Sequence, residues 1–257
     1  MLKLVYLINR DMTNDKLSTF IEGLNELNKQ NSIKIMVPSA GKEMEFNLFN
    51  VSQHKELVRT AFEGYEGVIK ANSIYDDIIK QNSLDDDCEF SLADRAHIIV
   101  QLRKESLSET YNTRNKNYNL NDLPEPNFNF DYSGNVEHSG IKVSLAIPSL
   151  VRDSQVSNKL ISDLARLTGK SKDTESVNVA LAYEIVKFIK SIEIGEDVFE
   201  FTNINIYDCA KLVDSLPLKL NNQIVKWISK FRTQEESNIT FEDGVLVEID
   251  ASFLAGD

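Results

Sequence analysis

The spacing of hydrophobic residues in the N-terminal part of the chain predicts strands and amphipathic helices in alternation. Residues 2–8 form an apolar run typical of a short strand, and apolar residues recur at helical spacing over residues 17–27. Extended segments at residues 33–37 and 43–49 are joined by Pro38 to Lys42, where proline and glycine favour a turn. The pattern therefore predicts a strand, a helix and then a β-hairpin.

Further helices are predicted between this hairpin and residue 107. Ser52 is suited to cap one helix, and helical spacing continues over residues 68–80. The clearest signature begins at Ser91, because Asp94 stands three residues later, as in a capping box. The apolar stripe behind this box consists of Leu92, Ala96, Ile99 and Leu102.

Between residues 112 and 140 the composition changes to Asn, Asp, Pro and Gly with scattered aromatic residues. This change predicts an irregular or hairpin excursion. Alternating apolar residues at 128–132 and 141–147 predict two strands that flank a turn at Ser133 to Asn135. Pro148 is expected to end the second strand.

The C-terminal part is predicted to be mostly helical and to end in a β-hairpin. The expected helices cover residues 155–167, 176–194, 205–216 and 217–231. The final hairpin is indicated by Asp243-Gly244 between the extended runs 239–241 and 245–249.

The expected fold class is α+β, mainly α-helical with short antiparallel hairpins. We divide the chain into an N-terminal α+β part (residues 1–111), the excursion (112–140) and a mostly helical C-terminal part (141–257). One compact domain overall is the alternative, and a chain of 257 residues is long enough for a conventional hydrophobic core.

Charge narrows the range of expected partners. The chain carries 28 basic and 40 acidic residues, a formal net charge of −12, and has no compensating basic block. We therefore expect no direct contact with nucleic acid.

The apolar run at residues 4–8 is too short for a signal peptide or a membrane span, so we expect a cytosolic protein that does not contact membranes. Cys88 and Cys209 would then be reduced thiols.

No motif in the sequence predicts a catalytic, cofactor or metal site. Gly169-Lys170-Ser171 lacks the earlier glycine of a phosphate-binding loop, where Leu164 stands. The acidic run from Asp85 to Glu89 lacks the ligand spacing of a calcium loop and is expected to be a solvated loop. The histidines His54, His97 and His138 show no metal or hydrolase spacing.

Aromatic residues in the C-terminal helices are expected to be core residues. Tyr183, Phe188, Trp227 and Phe231 stand among aliphatic residues at helical spacing. For Trp227 an exposed role stays open, because tryptophan is over-represented among interface anchors.

Several motifs, taken in order, resemble the T-even-type baseplate hub assembly family of contractile-tailed phages. The first is the turn Val37-Pro38-Ser39-Ala40-Gly41-Lys42, which is followed by an apolar strand and a helix with Leu57-Val58. Further matches are Leu102 to Ser106, Ile141 to Ser149, Val213 to Pro217 before the Trp227 helix, and Val247 to Leu254. The resemblance covers most of the chain from about residue 32 onward.

The resemblance implies a non-enzymatic protein that acts in assembly of the tail baseplate hub. Its partners would be hub or tail proteins, and it would work in the host cytoplasm during infection as a chaperone or scaffold, without a cofactor. Relatives tend to carry paired cysteines before the terminal strand, where this chain has Gln234 to Asn238, so no metal-stabilised C-terminus is implied.

Residues on the matched motifs are the candidate partner contacts. They are Phe46, Phe49, Arg103, Leu216, Pro217, Trp227 and Phe253. Each is also suited to the core. Two other functions stay open: a permanent structural component of the virion baseplate, or a hydrolase with an unrecognised site in a deep pocket.

Overall fold

The fold is known from a computed structural model that describes residues 16–23, 31–60, 64–85, 87–113, 116–166, 172–202, 205–250 and 253. Residues 16–23 are helical, as the spacing predicts. The strand predicted at residues 2–8 lies outside the described residues.

The predicted N-terminal hairpin is confirmed. Strands β1 (Ser32–Val37) and β2 (Lys42–Asn47) pair antiparallel, and Val37 stands opposite Lys42. Gly41 closes the turn with a φ of +63°, a left-handed conformation that glycine adopts without steric cost. Three helices follow, α1 (Val51–Thr60), α2 (Gly64–Asn82) and α3 (Leu92–Ser106), near the predicted positions.

Helix α3 begins as the capping box predicts. The Asp94 carboxylate accepts the backbone N–H of Ser91 at 2.6 Å. It also accepts the N–H and the hydroxyl of Ser39, at 2.8 and 2.6 Å, and so anchors the β1–β2 turn to the start of this helix. The helix is buried on more than the predicted stripe, because it lies between two groups of packed elements.

The excursion contains a short hairpin, and one of its turns was predicted at the wrong place. Strands β3 (Thr110–Asn112) and β4 (Asn117–Asn119) pair, and a 3-10 turn follows at Leu120–Asp122. The predicted turn at Ser133 to Asn135 is wrong, since these residues begin strand β5 (Ser133–His138). The turn lies at Ser139-Gly140, whose positive φ angles suit a two-residue hairpin, and the predicted strand at 128–132 is not formed.

A four-stranded antiparallel sheet forms the second half of the fold. Its strands are β5, β6 (Ile141–Ala146), β7 (Ile189–Ile194) and β8 (Asp197–Glu200), in this spatial order. The predicted helix 176–194 is therefore wrong beyond Phe188. Ile189 to Ile194 pair with β6 instead, and Gly195, with a φ of +63°, turns the chain into β8.

Four helices pack around this sheet. They are α4 (Leu150–Leu164), α5 (Lys172–Phe188), α6 (Ile206–Asp214) and α7 (Leu218–Ser237). Helix α4 begins five residues before the predicted start, because the Ser149 hydroxyl caps it, and α7 continues six residues beyond the predicted end. Mainly helical content with small antiparallel sheets confirms the α+β class.

Two groups of buried apolar residues hold these elements together. The first, here called the sheet core, lies between the four-stranded sheet and α4 to α7. The second, here called the hairpin core, joins β1–β2, α2 and α3 to residues 239–253. The Asp243-Gly244 turn is confirmed, since Phe241 and Val247 form backbone hydrogen bonds with Val245 and Ile239. The predicted strands at 239–241 and 245–249 are not formed, and a single bridge joins Thr240 to Leu246 instead. The division at residues 111 and 140 stays a prediction.

His97 on α3 gives the fold a pH dependence. Burial against Phe128, whose ring centroid is 4.9 Å away, and nearby Lys104 lower the pKa of His97 from 6.5 to about 4. Between these values the unfolded chain binds a proton that the folded chain excludes, so stability falls as the pH falls from 6.5 to 4. We expect a loss of roughly 2–3 kcal/mol across this window.

Denaturant unfolding of the wild type and of His97→Gln at several pH values measures this effect. The substitution is expected to flatten the pH dependence between pH 6.5 and 4. His138→Gln serves as the control histidine substitution. Equal slopes for the wild type and His97→Gln would show that His97 is not responsible.

Candidate interaction surface

Three of the seven candidate contact residues lie in the hairpin core. Phe46 is fully buried and packs on Phe90, with ring centroids 5.8 Å apart. Arg103 and Phe253 are buried against each other. These three side chains reach no partner while the described fold is intact.

Arg103 binds Phe253, near the C-terminus, to α3. Its Nε donates to the carbonyl oxygen of Phe253 at 2.7 Å, and its guanidinium lies 5.0 Å from the centre of that ring. Its Nη1 donates to the carbonyl oxygen of Ser108 at 2.6 Å. This geometry gives Arg103 a structural role that joins residues far apart in the sequence.

Phe49 and Trp227 are half-buried. Phe49 follows β2, and its backbone N–H donates to the Ser106 hydroxyl at 3.0 Å. Trp227 packs edge to face on Phe188 and lies directly on Gly134 of β5. Tyr183, Phe188 and Phe231 are buried in the sheet core, as predicted, and Trp227 packs against that core.

Leu216 and Pro217 are half-buried and border an exposed apolar surface at the corner between α6 and α7. Pro217 stands at the N-cap of α7, and Leu218 directly after it is 73% exposed. Leu181 on α5 lines the same groove of about 410 Å³ as Leu216 and Leu218. Val177, one turn before Leu181, is also exposed. We call Val177, Leu181, Leu216, Pro217 and Leu218 the corner surface.

Sequence reasoning missed the α5 and α7 residues of this surface. The signal that could have found them is the composition of α5, whose apolar residues cover more than one face. Such a helix buries one face in its own core and leaves another for a partner. Asn221 lines the same groove, and its side-chain oxygen has no hydrogen-bond partner among the described residues.

A buried ionic network connects the two cores. Arg95 on α3 donates to both carboxylate oxygens of Asp76 on α2, at 2.7 and 2.8 Å, and also binds Asp153 on α4. Lys187 on α5 lies 2.8 Å from Asp153. Burial alone would raise the pKa of Asp153, but Arg95 and Lys187 outweigh it and hold that pKa below its usual range. The network continues on the sheet side to Glu184, Arg232 and Glu235.

A second groove, of about 550 Å³, lies beside the corner surface between α4, α5 and α6. Asp163 in this groove is already engaged, because Lys159 lies 2.6 Å from it and the Tyr183 hydroxyl donates to it. Burial and the Asp163 hydrogen bond raise the pKa of Tyr183. Asp163 therefore has both an ion pair with Lys159 and a hydrogen bond from Tyr183, an arrangement typical of structural networks.

The other candidate motifs do not assemble a site among the described residues. Asp85 and Asp87 are exposed, and no group of three described His, Cys, Asp or Glu residues is placed to hold a metal ion. Gly169-Lys170-Ser171 lies outside the described residues. None of the described helices combines the length and the apolar composition that crossing a bilayer requires.

Comparison with known families settles the resemblance. A model of the family described as T4 bacteriophage base plate protein matches residues 30–242. The chain belongs to this family. The match covers the sheet core and most of the hairpin core of this baseplate protein, from just before β1 to the Asp243-Gly244 turn, and leaves Val247 and Phe253 outside it. No curated protein and no solved structure matches the chain.

The motifs that carry the resemblance lie at junctions inside this baseplate protein. Ser39 of the first turn binds Asp94, and Arg103 holds Phe253. Ser149 forms an isolated β-bridge with Ser91, which ties the end of β6 to the start of α3. These motifs therefore build the fold, and within them only Leu216 and Pro217 contribute to the corner surface.

Proposed function

We propose that this baseplate protein is a non-enzymatic assembly factor for the baseplate hub, and that it binds hub subunits through the corner surface. The observation that carries the proposal is the cluster of exposed aliphatic side chains around the 410 Å³ groove. Exposed apolar clusters on a folded protein mark sites of association. Leu218 and Val177 are 73% and 66% exposed, so water covers them until a partner does.

The electrostatics support binding over catalysis. The strongest cluster of titratable groups, Arg95 with Asp76 and Asp153, is buried and closed by ion pairs. A catalytic site needs such groups in a cleft that substrate enters. The net charge of −12 favours protein partners with basic surfaces over nucleic acid, and speeds their encounter.

The place of action we propose is the host cytoplasm during infection, before the particle is complete. The alternative is a permanent component of the virion baseplate, which the description of the family as a base plate protein favours. The two differ in one measurable quantity, the amount of the protein in mature particles. A permanent component would be present there in fixed proportion to the hub subunits.

Quantitative mass spectrometry of tagged complexes from infected cells, alongside purified virions, tests the proposal. The wild type is expected to be recovered with hub subunits and to be absent from virions. The amount of hub subunits recovered with the variant Leu181→Glu and Leu218→Glu is expected to be at least about tenfold lower than with the wild type. Docking would bury the two new carboxylates in the interface, which opposes binding. Its fold should be kept, since both side chains are exposed.

Val51→Glu is the matched control, because Val51 is 69% exposed and lies at the start of α1, outside the corner surface. It should leave recovery unchanged. Full recovery of the double variant would overturn the corner surface as the site. If the protein is present in virions in fixed proportion to the hub subunits, it is a structural component. If it is recovered with no baseplate protein at all, both functions are overturned.

A further inference from the structure

Strand β8 leaves one edge of the four-stranded sheet open. Within the described part of the chain no strand lies beyond β8, and all four of its residues are exposed. The N–H of Phe201 donates to the carbonyl oxygen of Lys190. Lys190 and Phe201 therefore continue the register in which Ile192 stands opposite Phe199. Because hydrogen-bonded pairs alternate along an antiparallel ladder, the N–H and C=O groups of Val198 and Glu200 point away from β7.

An apolar row crosses the sheet and ends at this edge. Val136, Val143, Ile192 and Phe199 stand opposite one another in consecutive strands. Val143 and Ile192 are fully buried, whereas Phe199 is 42% exposed. An added strand with an apolar residue beside Phe199 would continue this row and cover the exposed ring.

The charge on β8 and on the turn before it is acidic. Glu196, Asp197 and Glu200 carry this charge, and no lysine or arginine occurs from Ser191 to Ala210. Two basic side chains of neighbouring elements are engaged, since Lys142 lies 3.4 Å from Glu193 and Arg152 donates to the carbonyl oxygen of Phe201 just after β8. Edge strands that avoid pairing with other chains are often very short or carry charged residues, proline or a bulge. Strand β8 is short and carries Asp197 and Glu200, which repel acidic segments, whereas a strand of opposite charge removes that repulsion.

We propose that β8 accepts an extended segment of a baseplate partner, with alternating basic and apolar residues, as a fifth strand of the sheet. The partner's backbone pairs with Val198 and Glu200. Its apolar residues cover Phe199 on one face of the sheet, and its basic residues lie on the other face, which carries Glu193 and Glu200. Main-chain pairing provides the binding, and the charges select the segment. That the partner is a baseplate protein rests on the function proposed above.

A second copy of this chain is a poor occupant of the same edge. Antiparallel pairing of two copies through the outward groups of Val198 and Glu200 would bring Glu196, Asp197 and Glu200 of one copy alongside the same residues of the other. Like charges brought close together in this way oppose the pairing. The acidic edge therefore disfavours self-association and favours a basic segment.

The probe for this proposal is a fluorescent synthetic peptide of alternating lysine and valine, about eight residues long. Three measurements use the full chain: fluorescence anisotropy, amide hydrogen exchange by NMR, and sedimentation. The peptide is expected to protect the N–H groups of Val198 and Glu200 from exchange. The N–H of Phe199, which already faces β7, should change little.

Two peptides separate strand pairing from attraction between opposite charges. The first has the same sequence with alternate backbone amides N-methylated, which keeps the charge and removes the pairing groups. It should bind at least about tenfold more weakly. The second replaces lysine with glutamate and should not bind. Equal binding of the N-methylated peptide, or protection that appears elsewhere, would overturn the proposal.

Val198→Pro is the matching change in the protein, because it removes an outward N–H and leaves the β7 ladder intact. It should abolish peptide binding, whereas Val198→Thr keeps the N–H and should bind as the wild type does. Self-association of the wild type that Val198→Pro abolishes would assign the edge to a second copy and overturn the proposal. Unchanged recovery of Val198→Pro with baseplate proteins would overturn the edge as the site while the proposed function stands.

Discussion

Replacement of Arg95 with methionine is expected to lower the free energy of unfolding by about 3–5 kcal/mol. Arg95 is the only cation that contacts both Asp76 and Asp153 among the described residues, and these carboxylates are 0% and 2% exposed. Methionine keeps much of the volume but leaves Asp76, among the described residues, with a single neutral donor, the Ser154 hydroxyl at 2.9 Å. An uncompensated buried carboxylate is costly because it has lost its water. Urea unfolding followed by Trp227 fluorescence measures the change.

Two comparisons separate loss of charge balance from loss of shape. The triple variant Asp76→Asn, Arg95→Met, Asp153→Asn removes the charges of all three and should recover much of the lost stability. Lys116→Ala removes an exposed ion pair with Asp243 and should cost at most about 1 kcal/mol. A cost for Arg95→Met as small as that for Lys116→Ala would show that the network does not stabilise the fold.

Elements with local signals were predicted well from the sequence. The Ser91–Asp94 box and the Asp243-Gly244 turn act within a few residues, so the sequence contains the complete signal. The β1–β2 hairpin was found for the same reason, because its turn requires residues such as Gly41. Local chemistry decides such elements before tertiary packing does.

Strand β7 shows where local signals fail. Ile189 to Ile194 follow a helix without a proline or glycine break, so helical spacing appeared to continue. Their strand conformation depends on pairing with β6, which lies about 50 residues earlier. The same limit hid the Arg95 network, since Asp76, Arg95, Asp153 and Lys187 belong to four different helices.

The candidate contacts illustrate a related limit. The seven candidate residues stand on motifs shared with a family, and such motifs include the residues that build a fold as well as those that bind. Arg103 and Phe253, 150 positions apart, are in fact partners of each other. Leu218, the most exposed member of the corner surface, lies directly beside a matched motif and was missed because burial is not a local property.

Replacement of Gly134 with alanine is expected to lower the free energy of unfolding by about 1–3 kcal/mol. An added Cβ at Gly134 would lie 2.5 Å from Nε1 and 3.0 Å from Cδ1 of Trp227, closer than real Cβ atoms approach. The indole also packs edge to face on Phe188, with ring centroids 6.2 Å apart, which restricts its movement. Trp227→Ala should cost roughly 2–4 kcal/mol, because a large ring that packs on the core is removed. Unfolding followed by far-UV circular dichroism suits all these variants, including those without tryptophan.

A double-mutant cycle tests whether Trp227 causes the cost at Gly134. In a Trp227→Leu background the smaller side chain leaves room for the Cβ, so Gly134→Ala should become nearly neutral. An unchanged cost in that background would show that the strain has another source. The same variants separate the two roles that the sequence left open for Trp227. If Trp227 is a core residue, its replacement lowers hub binding only to the extent that the protein unfolds. If Trp227 is an interface anchor, Trp227→Leu molecules that remain folded also lose hub binding.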